Sequence, residues 1–398
     1  MTTSAQSGVF RELRRLLRCN VGSGREPKED KMKYHTAALL GAALSLLGVA
    51  AGPSRALELT YGTYTSPTQT TFRTGTGPLL DRITRDTNGE ITFEAFTGGS
   101  MGGPKELLGN AGSGIIDTTS VVDIYVKAQL PHSALMSSML ILGKNPKVMS
   151  AAMNEMQLLH CPSCEEDRTK ANVIGLGWTA TGTYHLICKE PINTLDELKG
   201  LKIRATSGMG RAMQSMGATA VSITTAEMYE AMQRGQVDCV AGAAAWLTTY
   251  NLKDFSRYIV EDSLGSYFGT MLFAVNLDVW GDLSDSQRAA IRSNISQSVV
   301  DTLFAYDDDH ETGIRDLKAL GGEVLHADQA FVDAVETARK EEYAFTIQSG
   351  KDQGIDNAEE LIDTFHGLVD KWTDIVAEIG NDKEAFKAAL DREIFDKL

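Results

Sequence analysis

The stretch Leu198–Ala218, LKGLKIRATSGMGRAMQSMGA, sets one fixed cation, Arg204, at the end of a short apolar strand and follows it with a glycine-containing loop. A guanidinium is planar, always charged and able to grip a carboxylate through two parallel hydrogen bonds, so this layout suits holding an organic acid without reacting with it. Taken alone, the same residues also read as a surface Arg at a strand end.

Working outward, Leu57, Leu59 and Tyr61 alternate with Glu58, Thr60 and Gly62, the period of a half-buried strand. A helix fits Thr71–Asp86, stopped by Asn88-Gly89, and Ile91, Phe93 and Ala95 alternate again. Strand, helix, strand in that order predicts a parallel sheet. Downstream, Thr194-x-x-Glu197, Thr224-x-x-Glu227 and Ser284-x-x-Gln287 have the spacing of capping boxes, in which a hydroxyl and an acid or amide satisfy the free N–H groups of a helix start. From Ser284 apolar residues run at helical spacing through Ile291, Ile295, Val299, Leu303 and Tyr306 with no Pro before Gly321. That predicts one continuous helix of about 55 Å. A second stripe, Leu361, Phe365, Leu368, Trp372, Ile375 and Ile379, reads as packing between elements.

Several ordered segments together resemble the solute-binding proteins of tripartite ATP-independent periplasmic (TRAP) transporters. They are LKGLKIR, MGATAVSITTAEMYEAMQRGQVDC (Met216–Cys239), GEITFEAFTGGSMGGPKELL (Gly89–Leu108), GIIDTTSVVDIYVKAQLP (Gly114–Pro131) and FAVNLDVWGDLSDSQRAAI (Phe273–Ile291). The resemblance covers nearly all of Leu57–Leu398. It implies an α/β, periplasmic-binding-protein-like fold: two α/β lobes around a ligand cleft, with a long helix spanning both and more than one crossing of the chain. Residues 57–180 with 268–310 are expected to form the first lobe, and 181–267 with 311–398 the second.

The leader region fits that class. Residues 32–56 read as a signal peptide, with Lys33, an apolar run Ala37–Ala51 broken only by Ser45, and Ser54-Arg55-Ala56 as a cleavage site. Residues 1–31 look unlike a signal n-region, which suggests a start at Met32. A run of about fifteen residues is too short to span a bilayer of ~30 Å, so export to the periplasm without membrane insertion is expected. Of 38 Lys/Arg and 53 Asp/Glu, nine and four lie in residues 1–56, leaving 29 against 49, a net charge of −20. Such acidity argues against nucleic acid as a partner and makes a local cation necessary for an anionic ligand.

Four cysteines follow the leader. Cys161-Pro-Ser-Cys164 reads as a structural disulfide, a redox pair or part of a metal set; haem attachment would need His after Cys164, where Glu165 stands. The helical look of Val148–Leu159 just before it is unlike the strand that precedes a redox CxxC. Cys188 ends one strand and Cys239 lies in another, so they pair if both strands share a sheet.

No catalytic set assembles. The seven His residues show no metal spacing, GxSxG is absent, and the Gly98–Lys105 loop lacks the Gly-Lys-Ser/Thr ending of a phosphate loop. No enzyme activity, cofactor or metal is expected.

The resemblance implies Arg204 as the carboxylate clamp, with small and large TRAP membrane subunits as partners. Tyr184 stands where many relatives carry a second Arg, and Val237-Asp238-Cys239-Val240-Ala241-Gly242 lacks their Asn. Near the expected cleft remain Trp178, Tyr184, Trp246, Tyr64, Asp123 and Phe268, a set suited to a monocarboxylate with an apolar or hydroxylated body. The rival readings are an extracytoplasmic thiol/disulfide protein or enzyme using Cys161 and Cys164, and a binding protein that feeds a sensor.

Overall fold

A computed structural model describes residues 56–398, so the extension 1–31 and the signal segment lie outside the described residues. Two six-stranded sheets organise the rest. The first contains β1 (Leu57–Gly62), β2 (Ile91–Phe96), β3 (Thr118–Val122), β4 (Val173–Gly175), β5 (Trp178–Thr179) and β11 (Thr270–Asn276). Its order is β2-β1-β3-β11-β4, with β5 also on β11. The expected β-α-β unit is present: β1 and β2 run parallel from Leu57 opposite Ile91 to Gly62 opposite Phe96. The helix between them begins as a π-helical segment, Thr71–Thr76, before the α-helix Gly77–Asp86.

The second sheet is built from β6 (Tyr184–Cys188), β7 (Lys202–Arg204), β8 (Thr219–Val221), β9 (Cys239–Ala243), β10 (Tyr258–Gly265) and β12 (Glu323–Leu325), in the order β12-β10-β6-β9-β7-β8. Each sheet carries its own apolar core. The chain passes from the first sheet to the second between β5 and β6, and back between β10 and β11.

The helix Ile295–Ala319 then crosses from one core to the other. Ile295, Val299 and Leu303 lie in the first, and Tyr306, Ile314 and Leu317 in the second. At 25 residues it spans about 37 Å, shorter than the continuous helix expected from Ser284. The break falls at Asn294, whose side-chain amide donates to the Ala290 carbonyl at 2.9 Å and so competes for an acceptor the helix ladder would use. Upstream, Ser284 and Gln287 close the expected capping box on the separate helix Asp285–Ser293.

The expected lobe boundary at 311–398 needs correction. The helix Gln329–Asp352 starts on the second core with Phe331 and Val335, but Ile355 and the helices Ala358–Ile379 and Lys383–Glu393 pack into the first. The physical reason is the stripe Leu361, Phe365, Leu368 and Trp372, which meets first-core partners. Phe365 stacks on Phe268 with centroids 5.6 Å apart, and Trp372 Nε1 donates to Glu155 Oε2 at 2.7 Å.

Both cysteine pairs are disulfides. Cys188 and Cys239 sit directly opposite each other on antiparallel β6 and β9. Cys161 caps the helix Pro162–Lys170 beside Cys164, and both are buried. Among the described residues no helix is long and apolar enough to cross a membrane, and no group of three or more His, Cys, Asp or Glu is placed to hold a metal ion.

Candidate functional site

Strand β7 runs parallel to β8 and β9, and Arg204 is its last residue. The carboxyl ends of parallel strands are where open α/β sheets present ligand sites. Beyond Arg204 the backbone stays extended at Thr206, then turns at Ser207, with φ of +49°, into the helix Ser207–Ser215. Gly208 is required at that turn: its N–H donates to the Ser138 carbonyl at 2.9 Å, and a Cβ there would run into that carbonyl and the Glu342 carboxylate.

Arg204 is 2% exposed. Its Nε donates to the Ile223 carbonyl at 3.1 Å, its Nη2 donates to the Tyr125 hydroxyl at 3.0 Å, and its guanidinium lies 5.7 Å from the Trp246 ring centre. No carboxylate forms an ion pair with it among the described residues. The nearby acid, Glu227, accepts instead from the Thr224 N–H at 2.8 Å and hydroxyl at 2.7 Å, which hold its carboxyl below the usual range. A buried guanidinium without a counter-charge is costly, and a carboxylate brought to it recovers that cost.

Arg204 faces a cavity between the two cores, with about 570 Å³ of space not filled by atoms, its mouth included. Arg204 is the one charged residue among the described lining. Of the expected site residues, Tyr64, Tyr184 and Trp246 line it too. Tyr184 packs edge-on against Trp246 with centroids 5.1 Å apart, and burial pushes its phenol far above the usual range. Tyr64 accepts from the Thr225 hydroxyl at 3.2 Å, a contact between a first-sheet loop and the second lobe.

Three expected residues do not reach the cavity. Trp178 is fully buried in the first core under Arg168, 5.1 Å from its ring centre. Phe268 is taken up by its stack on Phe365. Asp123 sits behind the wall, accepting from Ser133 at 2.7 Å, Ser137 at 2.5 Å and Tyr267 at 2.7 Å. Burial pushes its carboxyl up to about 6. Its contribution is to fix the Tyr267 ring, which does line the cavity.

Several lining residues are not among the site residues expected from sequence: Tyr61, Phe72, Tyr125, Tyr250, Tyr267 and Tyr306. Tyr306 belonged to the apolar stripe of the crossing helix, and Tyr125 to the quoted GIIDTTSVVDIYVKAQLP segment. The Tyr125 hydroxyl accepts from both Arg204 and the Thr225 N–H, the latter at 3.0 Å, so its own proton is left to donate elsewhere.

Comparison with known proteins places the fold and the family. The chain is 26% identical over 302 residues to the "outer membrane transporter protein TsaT" of Comamonas testosteroni, covering 72% of this chain and 84% of that one. Among four curated relatives the matched share of their own length runs from 50% to 84%. A TRAP solute-binding protein from Rhodoferax ferrireducens T118, solved with copurified benzoate, superposes with a TM-score of 0.70 at 19% identity, covering 80% of this chain and 99% of that one. A marine-metagenome TRAP solute-binding protein specific for aromatic acids, solved with 3-hydroxybenzoate, gives 0.69 at 20% identity, covering 80% and 99%. Residues 61–349 match the model of bacterial extracellular solute-binding protein, family 7, and the chain belongs to that family.

Proposed function

We propose that this protein captures an organic monocarboxylate outside the cytoplasmic membrane and delivers it, chemically unchanged, to the small and large membrane subunits of a TRAP transporter. The observation that carries the reading is the Arg204 guanidinium, buried at the cavity wall with no acidic partner among the described residues. Arg204 binds the ligand carboxylate, while Tyr64, Tyr184 and Trp246 with the other aromatic walls cover its carbon body. Contacts between the lobes, such as Tyr64 to Thr225, form around the ligand as the lobes close, so affinity and closure are one event. The aromatic acids held by two structural neighbours support this choice of ligand class.

A single ligand carboxylate matches a single cation. A C4 dicarboxylate would bury its second charge without a partner, at several kcal/mol. The test is a thermal-shift screen of organic acids followed by calorimetry on the best monocarboxylate and on succinate. The reading expects a saturating monocarboxylate, at about 100 times its Kd, to stabilise the protein by about 2.7 kcal/mol, with succinate far weaker. Equal affinity for succinate, or no stabilisation by any acid, would sink it.

A further inference from the structure

Resting on the monocarboxylate reading, we infer that the first-lobe wall of the cavity is a second polar subsite, built to take a neutral hydroxyl group carried on the body of the bound acid. Among the hydroxyl-bearing residues that line the cavity from that side, four form a group: Tyr61 on β1, Thr65 just beyond it, Thr76 at the end of the π-helical segment, and Ser120 on β3. All four are at most 8% exposed. Behind them Thr63 ties the group together, its hydroxyl 3.0 Å from that of Thr65 and 3.3 Å from that of Ser120. The Tyr61 phenol sits among the hydroxyls of Ser120, Thr76 and Thr63, and burial keeps it a protonated donor.

Thr76 is the telling member. Threonines in helices ordinarily return their hydroxyl to the carbonyl four residues back, and Thr74, Thr87 and Thr302 of this chain do so at 2.7 to 2.8 Å. Thr76 Oγ1 is buried and makes no such bond; the Tyr61 phenol is its neighbour, but no hydrogen bond of ordinary geometry joins it to another group among the described residues. Gln69, also in the lining, is already engaged with the Tyr306 hydroxyl and the Thr71 N–H.

The wall thus offers neutral donors and acceptors and no cation. A second carboxylate would find no counter-charge there, and a bare apolar edge would leave a buried hydroxyl unpaired. A neutral hydroxyl both donates and accepts, so it can supply the partner that Thr76 Oγ1 lacks. With Phe72 and Trp246 in the same lining, the ligand class is an aromatic monocarboxylate hydroxylated away from its carboxyl group.

Calorimetry on the full protein with phenylacetate and its ortho-, meta- and para-hydroxylated forms, and with benzoate and its hydroxylated forms, tests this. At least one hydroxylated isomer is expected to bind about tenfold or more tightly than its parent acid, because a site built to pair a hydroxyl penalises its absence. In the double variant Thr76→Val, Ser120→Ala that ratio should collapse toward one. Parent acids binding as tightly as every hydroxylated isomer, or a preference that survives in the double variant, would overturn the subsite while leaving the Arg204 reading in place. No binding of any of these acids would overturn both.

Discussion

The Arg204 guanidinium, on the second sheet, donates at 3.0 Å to the hydroxyl of Tyr125, which ends the short helical turn Asp123–Tyr125 just after β3 on the first. This contact links the clamp to the opposite lobe. The same phenol oxygen accepts from the Thr225 N–H, so both of its lone pairs are engaged and its proton is free to donate to a further acceptor. On the proposed reading, a ligand carboxylate held by Arg204 is that acceptor. The clamp on that reading is a fork plus a phenol, with the phenol delivered by lobe closure.

Replacing Arg204 tests the fork. Arg204→Ala should lower affinity for the best monocarboxylate by about 100-fold or more, since charge-assisted hydrogen bonds contribute about 1.5–3 kcal/mol each. Arg204→Lys should recover only part, because a point charge cannot reproduce two parallel bonds. The melting temperature of the unliganded Ala variant should hold or rise, as an uncompensated buried charge has been removed. Unchanged affinity by calorimetry in the Ala variant would show that the carboxylate binds elsewhere.

Tyr125→Phe removes one hydroxyl and keeps the ring. Arg204 Nη2 and the Thr225 N–H then lose a shared acceptor. A loss of about tenfold in affinity is expected from one buried hydrogen bond of about 1–2 kcal/mol. If the phenol acts only after closure, stopped-flow binding should show the loss in dissociation rate, with the association rate nearly the same. A purely slower association would contradict the proposed order.

The parts of this molecule readable in sequence are those fixed locally. The alternation Leu57–Tyr61, the cap at Ser284 and the strand ending in Arg204 depend on neighbours within a few residues, and each is found in place. What escaped depends on which core a segment meets. Trp178 and Phe268 are aromatic and near the sheet switch points, yet both turn into the first core. Tyr125 and Tyr306, 181 residues apart in the chain, line one cavity only because β3 and the crossing helix converge there. The stripe on Ala358–Ile379 was legible as a packing face, but nothing in its period says that it returns to the first lobe.

The two disulfides should differ in their effect on stability. Cys188–Cys239 closes a segment with a sequence separation of 51, and Cys161–Cys164 one of 3. Loop-closure entropy assigns about 4 kcal/mol to the long loop and about 2 kcal/mol to the short one. Denaturant unfolding of Cys188→Ser, Cys239→Ser should therefore show the larger loss, while calorimetry on either folded double variant finds ligand affinity nearly unchanged. A large affinity loss on removing Cys161–Cys164 alone, or a disulfide-reductase activity that disappears with it, would favour a redox role for that pair.

His185 makes the stability of the second lobe depend on pH. It is 3% exposed on β6, neither ring nitrogen has a hydrogen-bond partner among the described residues, and its ring lies 5.1 Å from that of His310. Burial, with His310 adding to it, lowers its pKa to about 4, against smaller opposing effects of Glu261 and Asp262. The unfolded chain binds the proton first, near the usual value of about 6.5, so stability is lost as pH falls from about 6.5 towards 4. Asp123 and Glu342 act in the opposite sense, their carboxyls raised by burial to about 6 and about 7. They are present in both proteins when wild type is compared with His185→Leu. Urea unfolding should show the variant gaining on wild type by up to about 2 kcal/mol between pH 7 and pH 5. A difference between the two proteins that stays constant across that range would mean that His185 does not titrate on unfolding.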